Sequence, residues 1–278
     1  MITTVIKKTL LVLVLCQSCA ISSDSWQQPK KAIVIGASSS MGRQVAKLLG
    51  NEGEYEVGLV ARRRDRLESL SKEITSKTYI KCIDVSEYAK ARNQLEELID
   101  QMGGIDLMLI SISATTDLIG EADLPDWQAK MKTVNVDLIG FLAMADIAVK
   151  HFEQQGHGHL VGISSVSGLK GEAVSPIYSG ANAFISRYLE GMRNRMHQNK
   201  VYDIYFTDII PGYVEIEDDD VHQIPGVYWI ATKERAGRDI YEAIKKKKKR
   251  AFITKRWQLI AWAYAICPDW LYNKLGGF

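Results

Sequence analysis

Two hydroxyls and an amide stand close together in the stretch that contains "ISSVSG" and "YSGAN": Ser165, Tyr178 thirteen residues on, and Asn182 four beyond that. A hydride added to a carbonyl carbon leaves an oxyanion that must be protonated. A tyrosine hydroxyl with a serine beside it can hold that oxygen and deliver the proton. Tyrosine is a poor acid–base catalyst at its ordinary pKa of about 10, and a nearby cation would help by favouring tyrosinate. Four residues along a helix is the same face, yet the residue found there is Asn182, which donates and accepts hydrogen bonds but carries no charge. Each residue alone also fits a plainer role: a buried tyrosine finds some partner, and a serine caps backbone groups.

A second group lies near the start. In "IGASSSMGRQVAKLL", Gly36 and Gly42 bracket a tight strand-to-helix turn with Ser38, Ser39, Ser40 and Met41 between them. Backbone amides and a helix N-terminus in such a turn can face a pyrophosphate, and small side chains let it approach. Further on, "VARRRDRL" places Arg62 and Arg63 where a dinucleotide site would otherwise hold an acid against the adenosine ribose. Positive charge there suits a 2′-phosphate, so NADP (as NADPH) is expected in preference to NAD.

These residues need a scaffold that presents them together. Seven apolar runs alternate with amphipathic stretches: Lys31–Ser38, Tyr55–Arg62, Thr78–Val85, Ile105–Ser113, Gly158–Ser165, Tyr202–Pro211 and Arg250–Lys255. Strands separated by helices predict an α/β fold with a doubly wound, seven-stranded parallel sheet, a Rossmann fold, because parallel neighbours need crossover connections. Ligands in such sheets bind beyond the carboxyl ends of the strands, where every residue named above falls. One long irregular stretch, Tyr213 to about Thr232, follows the sixth strand on that side and is expected to act as a substrate lid.

Taken together, the motifs resemble the short-chain dehydrogenase/reductase family from Lys31 to about Arg256. Gly36 and Gly42 match its opening glycine turn, with Ile35 in place of threonine and Ser40 in place of the middle glycine. Asp84 and Val85 match the pair that borders the adenine, and Pro211 and Gly212 the "PG" after the sixth strand. Asn135 in "NVDLIG" matches the family's catalytic asparagine, and Ser165 and Tyr178 keep the family's spacing. The asparagine-rich segment after the fourth strand is replaced by "ISIS", Ile110 to Ser113, and the catalytic lysine by Asn182. The resemblance implies carbonyl–alcohol interconversion on a small molecule, with Ser165 positioning oxygen, Tyr178 exchanging the proton, Asn135 holding a relay water and Asn182 as a reduced ribose contact. It also implies a homo-oligomer. Lys170, in the loop after Ser165, is a candidate replacement for the missing cation. The rival expectation is a cofactor-binding protein of the same fold without significant turnover.

The chain has 278 residues, 46% hydrophobic and 24% charged, enough for one domain with a full core. A net charge of +2 argues against nucleic acid as the main partner. Of four cysteines, Cys16 and Cys19 lie near the start, while Cys82 and Cys267 are isolated; neither a disulfide framework nor a metal site is expected. Residues 1–29 carry a lysine pair, a short apolar run and small residues, in the order of a secretory signal. The other reading is an upstream start before a domain that begins at Lys30. A cytoplasmic location is expected, with membrane contact and export left open. Residues 257–278 form an aromatic extension next to the run Lys245–Arg250. That run fits a solvated helix end, while a basic and aromatic terminus can also lie on an anionic membrane, an oligomer interface or the pocket.

Overall fold

The computed structural model describes residues 29–52, 55–114, 127–173, 175–215 and 229–274. Seven strands form one sheet: β1 (Lys30–Ile35), β2 (Tyr55–Ala61), β3 (Thr78–Cys82), β4 (Leu107–Ile110), β5 (Gly158–Ile163), β6 (Ile204–Pro211) and β7 (Arg250–Ile253). Their order is β3-β2-β1-β4-β5-β6-β7, and every neighbouring pair is parallel. The expected doubly wound sheet is therefore present. Several strands stop two or three residues short of the expected ends, because the chain turns out of the ladder at its carboxyl edge to form the site.

Alternation along β1 shows why both faces must be covered. Ile33 and Ile35 enter one core, Ala32 and Val34 the other, and all four are almost fully buried. The first core is closed by α3 (Tyr88–Met102), α5 (Phe141–Gln155) and α6 (Pro176–Gln198), through side chains such as Leu98, Phe152 and Leu189. The second is closed by α1 (Ser40–Asn51), α2 (Arg64–Ser71) and α7 (Lys233–Lys245), through Leu49, Leu67 and Tyr241. The run expected as one helix before β5 is α4 (Trp127–Thr133), a π-helical segment (Val134–Gly140) and α5 in direct succession. Asn135 lies in the π-helical segment.

Two helices follow β7: α8 (Trp257–Ile266) and α9 (Asp269–Lys274). They hold the end of the chain against the carboxyl edge of the sheet. Trp257 is buried and makes edge contacts with Tyr213 and Trp229 at 5.8 and 5.6 Å. A side chain at Gly212 would collide with the Trp257 ring, so the glycine of the "PG" pair serves this close packing. Lys246–Lys249 are exposed and precede β7, whereas α8 follows it, so the basic run and the aromatic helix sit at opposite ends of that strand. Among the described residues, no helix is long and apolar enough to cross a membrane.

The expected lid is described only at its ends. Val214 and Ala231 form a bridge, with Ala231 N–H donating to the Tyr213 carbonyl at 2.9 Å. The rest of it, like the leader up to residue 28, lies outside the described residues. Because Trp257 fills the space that Gly212 leaves open, Trp257→Ala should cost about 3–5 kcal/mol of stability, measured by denaturant unfolding. A change within error would show that the terminal helices are not part of the folded unit.

Candidate active site

The strand order reverses direction between β1 and β4, and the crevice at that switch point is where ligands enter such sheets. Gly36 leaves β1 with φ +83°, and a side chain there would collide with the Ser111 carbonyl just beyond β4. Only glycine meets both demands. Ser39 caps α1, its Oγ accepting from Gly42 N–H at 3.0 Å and lying 2.9 Å from Ser111 Oγ across the switch point. The cap satisfies Gly42, which leaves the first-turn amides of Ser40 and Met41 as groups the helix itself cannot satisfy. A side chain at Gly42 would meet the Gly36 carbonyl, so the turn is as tight as its sequence requires.

The same crevice is lined by Ser38, Ser39, Arg62, Arg63, Asp84 and Val85. Both arginines are exposed at the rim. Burial alone would raise the Asp84 carboxyl, but Ser86 donates to it from its N–H (3.0 Å) and hydroxyl (2.7 Å), and Arg62 and Lys132 add positive charge. The net effect holds it below the usual range. A glycine turn open to backbone approach, with first-turn amides and cations at its rim, suits a dinucleotide.

Farther along the edge, β5 ends at Ile163 and Ser165 caps a short 3-10 turn, Val166–Leu169, accepting from Ser167 N–H at 3.1 Å. Tyr178 stands in the first turn of α6, half-buried, with its hydroxyl hydrogen-bonded to Ser165. Asn182 is buried and its Nδ2 donates to the Tyr178 carbonyl at 2.9 Å. The expected pair and the asparagine are thus together, while Asn135 is half-buried on the π-helical segment and Gly212 serves packing beside Pro211, the last residue of β6.

Residues 30–220 match the family model for short chain dehydrogenases. The chain belongs to the short-chain dehydrogenase family. An uncharacterized oxidoreductase of Mycobacterium tuberculosis is 32% identical over 195 residues, 68% of this chain and 74% of that protein. One from Staphylococcus saprophyticus is 28% identical over 221 residues, 78% and 89% of the two chains. In fold, the chain is similar to a 7β-hydroxysteroid dehydrogenase, with a TM-score of 0.74 at 18% identity, covering 89% of this chain and 96% of that one. It is also similar to a short-chain type dehydrogenase/reductase from Mycobacterium ulcerans, with a TM-score of 0.70 at 14% identity, covering 80% and 87%. The chain is an oxidoreductase of a fold that binds nicotinamide dinucleotides.

The charged groups that act on Tyr178 are acidic. Burial pushes its hydroxyl up to about 12; the hydrogen bonds from Ser165 and Asn182 pull down, while Asp137 and Glu172 push up. Asp137 escaped the sequence reading, which stopped at Asn135 two residues before it. It is 2% exposed and accepts from Ala114 N–H at 2.7 Å and Ser113 Oγ at 3.4 Å. The "ISIS" segment therefore keeps a tie to the helix that follows. An acid inside the apolar run "VNVDLIGF" was the available signal. Lys170 is engaged elsewhere: its Nζ pairs with Asp269 at 2.9 Å and lies 5.0 Å from the centre of the Tyr272 ring. Among the described residues, no cluster of His, Cys, Asp and Glu is placed to hold a metal.

Gly36→Ala should cost about 1–3 kcal/mol of stability, from backbone strain and the Ser111 contact, and weaken dinucleotide binding about ten-fold or more. Thermal melts and fluorescence titration with NADPH check both. A variant that binds as well as the parent would remove the turn from the site.

Proposed function

We propose that the chain is an NADP-preferring oxidoreductase that interconverts a carbonyl compound and a secondary alcohol, with a rate limited by the lack of a cation beside Tyr178. The observation that carries this reading is the Ser165–Tyr178 hydroxyl pair at the carboxyl edge of the sheet, next to the glycine turn. A bound nicotinamide supplies or accepts the hydride. Gly36, Ser38 and Ser39, with the amides of Ser40 and Met41, hold the pyrophosphate, and Arg62 and Arg63 the 2′-phosphate. Asp84 and Val85 border the adenine.

In reduction, the Ser165 hydroxyl orients the substrate oxygen and Tyr178 gives it a proton. In oxidation, Tyr178 must first lose that proton, and this is the direction that its raised pKa opposes. Asn135 holds a relay water and Asn182 a ribose hydroxyl. The same absence of charge favours a second reading, a cofactor-binding protein with little turnover.

Two measurements test this account, and the second separates the readings. NADPH should bind more tightly than NADH, with Arg62→Ala shrinking the difference and added salt weakening it; equal affinities in the parent protein would contradict the cofactor assignment. Tyr178→Phe should abolish turnover across a panel of ketones while leaving NADPH affinity nearly unchanged. Undiminished activity in that variant would make the tyrosine structural, and a parent protein that binds NADPH but turns over nothing would favour the second reading.

A further inference from the structure

Helix α8 reads "WQLIAWAYAI", ten residues without a charge. A helix that is apolar all round is ordinarily buried all round, yet the fold covers only one side of this one. Trp257 is buried, and Ile260 and Tyr264 on the same side are half-buried. On the opposite side, at i, i+3 and i+7, Leu259, Trp262 and Ile266 are 58%, 61% and 85% exposed. On α9, Trp270 is 69% exposed, two positions before the buried Tyr272. The Tyr264 and Tyr272 rings meet edge to face at 5.6 Å between the two helices, so the exposed side chains lie on the outside of the pair.

The charges beside this face have one sign. Lys255 and Arg256 are exposed before α8, and Lys274 is exposed at the end of α9. The one acid between Lys255 and Lys274 is Asp269, which is paired with Lys170 at 2.9 Å. A second copy of this chain is therefore a poor cover. Two copies joined through this face by a two-fold axis would bring the cations together, with no unpaired carboxylate from the segment to meet them. The four exposed apolar side chains offer about 500–600 Å², short of the about 800 Å² per partner of a standard interface. An anionic membrane surface suits both features, because tryptophan and aliphatic side chains enter the headgroup boundary while lysine and arginine attract acidic lipid. Ten residues of helix span about 15 Å, half of the about 30 Å hydrocarbon core, so α8 is suited to lie along the surface.

We propose that the outer face of α8 and α9 docks the protein on a membrane surface rich in acidic lipid. Leu259, Trp262, Ile266 and Trp270 sit in the headgroup boundary, and Lys255, Arg256 and Lys274 face the lipid charges. The lysine run before β7, at the other end of that strand, takes no part. This surface is independent of the reaction proposed above.

Flotation of the full chain with vesicles tests the assignment, comparing phosphatidylcholine alone with phosphatidylcholine that carries about 30% phosphatidylglycerol. The chain should bind the mixed vesicles about ten-fold or more tightly than the neutral ones. Trp262→Ser with Trp270→Ser should weaken that binding about ten-fold or more, and Lys255→Ala with Arg256→Ala several-fold. Thermal melts and NADPH affinity should stay near those of the parent, since these side chains are exposed. Ile266→Glu, a single change at the most exposed position, should also weaken binding several-fold. Lys248→Gln with Lys249→Gln should bind as the parent does. No flotation with either vesicle, or equal binding to both, would overturn the proposal. So would binding that survives the tryptophan changes, or a loss confined to the Lys248 and Lys249 variant, since either puts the contact elsewhere on the chain. A parent that ignores vesicles but is a dimer, and becomes a monomer on the tryptophan changes, would make the face a contact between copies instead.

Discussion

Tyr178 and Ser165 come from different elements, so their hydrogen bond depends on how firmly α6 is clamped to β5 and β6. Asp208, on β6 and fully buried, takes the Ser164 hydroxyl at 2.7 Å, and Ser186 from α6 donates to the same Ser164 oxygen at 3.2 Å. Burial raises the Asp208 carboxyl; the two serine hydroxyls and the charges of Arg250 and Arg193 pull the other way. One polar cluster thus ties the three elements that bear the candidate chemistry. A buried network of this kind specifies a single arrangement because any slip leaves polar groups unpaired. Packing works toward the same end: a side chain at Gly162 would press on Leu189 and Phe141, so this glycine lets α5 and α6 sit close over β5.

The far end of the chain packs on the loop that follows β5. Tyr272 donates from its hydroxyl to the Gly171 carbonyl at 3.0 Å, and Asp269 holds Lys170. The loop between Ser165 and Tyr178 is therefore fixed by residues about a hundred positions later. The terminal helices thus act at the carboxyl edge of the sheet even though they follow the last strand. Their exposed face, with Trp262 and Ile266, remains turned to solvent.

Much of this was legible in the sequence because it follows local rules. Apolar runs of strand length between amphipathic stretches gave the sheet and its direction, and a glycine pair after the first run located the turn. What escaped depends on partners distant in the chain. The direction of Lys170 is set by Asp269, and the need for glycine at 212 by Trp257. The π-helical segment was also hidden, since its apolar pattern reads as ordinary helix. With it was hidden Asp137, whose significance appears only when its carboxylate is seen against Ala114 and near Tyr178. At Asn182 the sequence showed an uncharged side chain but not that its amide would be engaged by the Tyr178 carbonyl.

The central claim is that the crevice retains a proton donor and lacks the charge that would activate it. The most direct measurement is the pH–rate profile for alcohol oxidation in the parent protein and in Asn182→Lys. With Tyr178 at about 12, the parent rate should keep rising through the alkaline range, because the tyrosinate needed as base stays scarce. A lysine at 182 should favour tyrosinate, bend the profile over at lower pH and raise the rate near neutrality about ten-fold or more, each unit of pKa being worth about 1.4 kcal/mol. Superimposable profiles in the two proteins would contradict the account.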